Sequence, residues 1–184
     1  MSWSILDSVA EIVVLLRAVN VGGAKLPMAR LRAIAGELGA TDVSTYIASG
    51  NLLCTPEGDA DVFARGLERR ISDEFGFSRE AIVRTPDELS AALEAYPFEV
   101  EDGSERRAHI HFLAGPPAGD AEFTDAQLGR DRVQLIGSDL HLLFDAGAGQ
   151  TKLTTSVLQR ALGVPGTARN LRTVRTLAEK ARGS

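Results

Sequence analysis

The chain has 184 residues, a mass of 19.6 kDa, 44% hydrophobic and 24% charged residues, and a net charge of −5. Such a chain can bury a core as one large domain or two small lobes, so wholesale disorder is excluded. The acidic balance argues against a nucleic-acid coat, the single Cys54 excludes an internal disulfide framework, and no apolar run approaches the ~20 residues needed to span a bilayer.

At the start of the chain, Asp7 and Glu11 interrupt the apolar residues and no basic region precedes them. That is not a secretory signal, so a cytoplasmic protein with reduced Cys54 is expected. Trp3, Ile5 and Leu6 form a lead-in available to dock on the surface or on a partner. Glu11–Val19 is a continuous β-branched apolar run and reads as a central strand. Asn20-Val21-Gly22-Gly23 ends it, and Pro27 fits the first turn of a helix carrying Met28, Leu31, Ile34 and Leu38, closed by Gly39. Val43–Ala48 and Asn51–Thr55 read as a hairpin around Ser49-Gly50. Val62, Phe63, Leu67, Ile71 and Phe75 mark a second helix with Asp59 as its cap. Ala81–Arg84 is a short strand, and Thr85-Pro86-Asp87-Glu88 opens a helix to about Tyr96. After a polar segment, Ala108–Ala114 reads as a strand and Asp120–Gly129 as a poor helix. Arg132–Ile136 and Leu140–Phe144 form a second hairpin, and helices follow over Thr151–Leu162 and Asn170–Ala181.

The first half thus reads strand-helix-strand-strand-helix-strand, the split βαβ order. The second reads strand-helix-strand-strand-helix-helix. The expected fold is α+β, a tandem of two ferredoxin-like lobes: residues 11–96, a connector over 97–107, and residues 108–181.

Four segments carry a resemblance: LLRAVNVGG (Leu15–Gly23), TYIASGN (Thr45–Asn51), GAGQTKLT (Gly147–Thr154) and LGVPGTARNLRTVRTLAE (Leu162–Glu179). In this order they look like the bacterial domain of unknown function 1697 family, over about Ile12 to Ala181. The family pattern is close to LRGINVGG, YIQSGN, GRSKLT and TRNWNTVxKL. Here Ala18 stands for a glycine, Gln150 for an arginine, Leu171 for a tryptophan and Arg172 for an asparagine. The resemblance implies an α+β fold with duplicated lobes and assigns no activity.

Charge is uneven, −11 over residues 1–149 and +6 over residues 150–184. Gly147, Gly149, Thr151 and Lys152 run from a strand into an expected helix start, where free N–H groups attract anions. The P-loop spacing is absent. Arg17 lies inside the first strand on the face of Val13 and Leu15, so it must meet a carboxylate, carbonyls or a ligand, an interlobe salt bridge being the plainer outcome. Asn20, Gly22 and Gly23 follow it, in a loop position that commonly builds sites. Arg169 and Asn170 complete the ligand-binding set. Ser49-Gly50-Asn51 is expected at the opposite end of the sheet from Asn20, as turn chemistry.

His109, His111 and His141 read as a wet sheet face rather than a zinc site, since no Cys or Glu stands at ligand spacing. Cys54 reads as core. An RNA-recognition surface needs aromatics that Leu52, Leu53 and Cys54 do not supply. The leading expectation is a cytoplasmic protein binding a small phosphate- or carboxylate-bearing ligand in a groove between lobes. No metal, cofactor or membrane partner is expected, and no reaction is assigned. The alternatives are a protein–protein module using the basic C-terminal helix, or weak RNA binding.

Overall fold

The computed structural model describes residues 10–183, so the lead-in residues Trp3, Ile5 and Leu6 lie outside it. The described residues form a mixed α/β structure with two four-stranded antiparallel sheets and six helices. In chain order the elements are β1 (Ile12–Leu16), α1 (Met28–Glu37), β2 (Thr41–Tyr46), β3 (Asn51–Thr55), α2 (Ala60–Phe75), β4 (Ala81–Arg84) and α3 (Pro86–Glu94). Then come β5 (Ala108–Leu113), α4 (Asp125–Leu128), β6 (Arg132–Ile136), β7 (Asp139–Leu143), α5 (Thr155–Leu162), β8 (Gly166–Asn170) and α6 (Leu171–Arg182). The sheets run β2-β3-β1-β4 and β6-β7-β5-β8, the same connectivity twice. The chain packs as two units, one reaching Thr85 and taking up residues from Ala181 onward, the other spanning Pro86–Lys180. Helix α3 and the polar 97–107 segment therefore belong to the second unit.

In the first unit, β1 is buried on both faces, as its unbroken apolar run requires. Ile12, Val14 and Leu16 share one face with Leu52 and Cys54, and pack against Leu31 and Ile34 of α1 and Phe63, Leu67 and Ile71 of α2. Asp59 caps α2 by accepting the Val62 N–H at 2.9 Å. Arg30 of α1 reaches Glu74 of α2 with both oxygens at 2.6 Å and also bonds Glu37, which pairs in turn with Arg70. In the second unit, Leu113, Leu140, Leu142 and Phe144 pack against Leu153, Leu158 and Leu162, bringing α5 onto one face of the sheet.

Several sequence expectations need correction. Strand β1 stops at Leu16, not Val19, because Ala18 and Asn20 take left-handed backbone angles, φ 50° and 56°. Helix α5 starts at Thr155, capped by Thr154, three residues beyond the lysine expected in its first turn. The second half is not strand-helix-strand-strand-helix-helix, since a fourth strand, β8, lies between α5 and α6 and pairs with β5. Its one aliphatic side chain, Ala168, gives no apolar pattern to read. The Ser49-Gly50 turn is not remote from Asn20 either. Because β3 runs antiparallel to β1 with Asn51 opposite Leu15, the turn sits where β1 ends.

Candidate functional site

The predicted binding residues divide between the units, and most are occupied in holding the chain. Arg17 keeps only 21% of its side chain exposed and meets both Glu80 oxygens, at 3.2 and 3.3 Å. Glu80 belongs to the same unit, so the pair is not the interlobe bridge expected. Asn20 donates to the carbonyls of Leu26 (3.1 Å) and Ala48 (2.6 Å) and accepts the Leu26 N–H at 2.9 Å. Both amide hydrogens are spent, and the side chain ties the β1–α1 loop to the β2–β3 turn. Gly22 and Gly23 complete that loop with φ 58° and 90°. Gly50 is needed where the turn meets β1: with φ 80°, a Cβ there would lie 2.4 Å from Val19 and 2.9 Å from Leu16. Asn51 donates to the Tyr46 carbonyl and the Ser49 hydroxyl.

In the second unit, the glycine loop is braced from within. The Asp131 carboxylate accepts the Asp145 N–H at 2.8 Å and the Thr151 hydroxyl, which in turn accepts the Leu153 N–H at 3.0 Å. Gln150 N–H closes a turn onto the Gly147 carbonyl. Asp131 is thus a carboxylate built into the bracing of this loop. Gly149 and Lys152 remain exposed, and Lys152 has no hydrogen bond or ion pair among the described residues. Arg169 is buried in β8, donating to Thr167 Oγ1 at 2.7 Å and the Ala168 carbonyl at 3.0 Å; desolvation lowers its pKa to about 10, leaving it charged at neutral pH. Asn170 accepts the Thr173 N–H at 2.8 Å and caps α6.

The histidines do not share a wet face. His141 lies opposite Ile110 in the register, so it projects from the other side of the sheet to His109 and His111. His111 and His141 are buried, and His141 packs its ring against Tyr96. Burial pushes the His109 and His141 pKa values down, opposed by an Arg107 backbone hydrogen bond and by Asp139 respectively. No cluster of metal-ligating side chains occurs among the described residues. Cys54 is fully buried in the α1–α2 core, and desolvation, with Glu11 nearby, pushes its thiol up to about 12, which makes it an inert core residue.

What sequence reading missed is a cleft of about 330 Å³ at one end of the second sheet. Its lining includes Arg107, Arg130, Arg132 and Ser104, with Glu99, Glu101 and Asp145, and the apolar Leu143 and Phe144. The topology assembles it. Strands β5 and β6 both pair antiparallel with β7, so Arg107 and Arg132, at their beginnings, converge where β7 ends. The polar 97–107 segment supplies the remaining side, and the Arg132 guanidinium stacks 4.8 Å over the Phe98 ring. Asp131 stands between Arg130 and Arg132 but turns its carboxylate to the glycine loop. None of the three arginines forms an ion pair among the described residues. The available signal was Arg106-Arg107 and Arg130-Asp131-Arg132, basic residues just outside two strands that share a neighbour. A second depression, of about 440 Å³, lies beside Asn20, but it is more open and its only cation is Lys25.

A family model described as "Protein of unknown function (DUF1697)" matches residues 9–141. The chain belongs to the DUF1697 family. Among solved structures it is similar to one titled as that of conserved bacterial protein SP0830 from Streptococcus pneumoniae, at 20% identity and a TM-score of 0.66. That match covers 94% of this chain and 98% of the other, and at such identity it carries the fold alone. No curated protein matches. Within this DUF1697 chain, Asn20, Gly50 and Asn51 of the motif segments are structural fasteners, whereas the arginine cleft is lined from outside those segments.

Proposed function

We propose that this is a cytoplasmic protein built as a tandem of two ferredoxin-like (split βαβ) units, and that it binds a small phosphate- or carboxylate-bearing ligand in the cleft of Arg107, Arg130 and Arg132. The strand order supports the tandem of split βαβ units, each sheet placing its first strand between the third and the fourth. The observation that carries the ligand is the presence of three arginines, none in an ion pair among the described residues, around one cleft. Guanidinium forks match the paired oxygens of phosphates and carboxylates, and Ser104 adds a hydroxyl. The cleft lies within the second unit, so the groove between lobes is not needed. A partner-binding C-terminal helix is less favoured, since Arg175 of α6 already pairs with Glu105 at 2.8 Å.

Titration calorimetry with inorganic phosphate, ethyl phosphate and short dicarboxylates tests the reading. Binding that weakens roughly tenfold in Arg130→Ala and again in Arg132→Ala, with unchanged melting, is expected. No binding at millimolar ligand, or equal binding by the double variant, overturns it.

A further inference from the structure

The same cleft carries carboxylates as well as guanidinium groups, and their arrangement narrows the ligand. Glu99, Glu101 and Asp145 line it beside Arg107, Arg130 and Arg132. All six are exposed, and no pair among them comes within the 4.0 Å of an ion pair. Elsewhere the chain joins such groups across the surface: Arg30 to Glu74, Arg65 to Glu68 and Arg175 to Glu105. In the cleft, opposite charges surround a common space without closing on each other. A space lined by both signs of charge favours a molecule that itself carries both. A plain anion gains the arginines but meets three carboxylates, which repel it. A zwitterion turns that repulsion into attraction at its cationic end.

We infer that the ligand of this site is a zwitterion, a phosphate or carboxylate joined by a short linker to an ammonium group, with the anion toward Arg107, Arg130 and Arg132 and the ammonium toward Glu99, Glu101 and Asp145. This rests on the anion-binding reading and goes beyond it in requiring the second charge. Leu143 and Phe144 give the linker an apolar surface, and a cleft of about 330 Å³ suits a molecule of this size.

The experiment compares ethyl phosphate with 2-aminoethyl phosphate, which differ by one ammonium group, at pH 7.5 on the full chain. The wild type is expected to bind the amine at least fivefold more tightly. In Glu99→Gln/Glu101→Gln, and in the same variant with Asp145→Asn, that preference disappears while ethyl phosphate binds as well as before or better. Equal affinities in the wild type, or a preference that persists in both variants, overturn the zwitterion and leave the anion site standing. Failure of both compounds to bind overturns both readings together. Circular dichroism melting of each variant separates a lost contact from a lost fold.

Discussion

At Ala18 the chain departs from its family pattern and the backbone shows the consequence. Glycine stands there in the pattern the sequence resembles, and the structure holds this alanine at φ 50°, exposed, while its carbonyl accepts the Arg79 guanidinium at 2.9 Å. A Cβ in left-handed backbone costs about 1 kcal/mol or more, and an exposed methyl has little packing to lose. Ala18→Gly is therefore expected to stabilise the protein by roughly 0.5–1 kcal/mol, read as a higher denaturation midpoint at unchanged slope. A lower midpoint would mean that the strain is absent. Ile47 is a further strained position, a β-branched residue at φ 51° and 52% exposed.

Among the elements, the glycine loop between β7 and α5 depends on a side chain outside it. Asp131 holds both ends, through Asp145 N–H and the Thr151 hydroxyl, and stands between two cleft arginines. Asp131→Ala is expected to cost about 1–3 kcal/mol, since hydrogen bonds to a charged acceptor are lost and a partly buried hydroxyl is left unmet. Hydrogen exchange is expected to quicken at Asp145 and Leu153, whereas α1 and α2, in the other unit, keep their protection. Uniform loss of protection would contradict a local brace. This brace was invisible in the sequence because residues 131 and 151 meet only through the β6–β7 hairpin. Regular elements were more legible: β3, β4 and β6 fall where their apolar runs predicted, and Asp59 caps α2. Strand β8 was not, because Thr167 and Arg169 occupy buried positions that an apolar pattern would need filled by aliphatic residues. The cleft was missed for a related reason, since the sequence shows charges but not which strand ends meet.

For the whole molecule, two sets of groups set the response to acid. His109 and His141 are held neutral by burial, with folded pKa values below the ordinary 6.5. The unfolded chain takes up those protons first, so the stability they secure is complete above about pH 6.5 and declines as pH falls from there toward the folded values. Glu37 and Glu74, both hydrogen-bonded to Arg30, titrate below their usual 4.5; their contribution is present above that value and is lost as pH falls through the folded values. Melting temperature is expected to be level above pH 7, to fall below about 6.5 and to fall again below about 4.5. High salt is expected to shrink the lower step, where the charges are exposed, more than the upper one. His141→Gln, which does not titrate, is expected to lessen the first step, and an unaltered profile would assign it elsewhere.

The repeated strand order also governs how the molecule can be made. In each sheet the strand synthesised first is central: β1 needs β3 on one side and β4 on the other, and β5 needs β7 and β8. During synthesis, the apolar Ile12–Leu16 stays unpaired on one edge until Ala81–Arg84 has followed. The second sheet repeats the wait, from Ala108–Leu113 to Gly166–Asn170. The first strand of each sheet is thus the last to be paired on both sides, and its shelter during synthesis falls to helices or chaperones rather than to its own sheet.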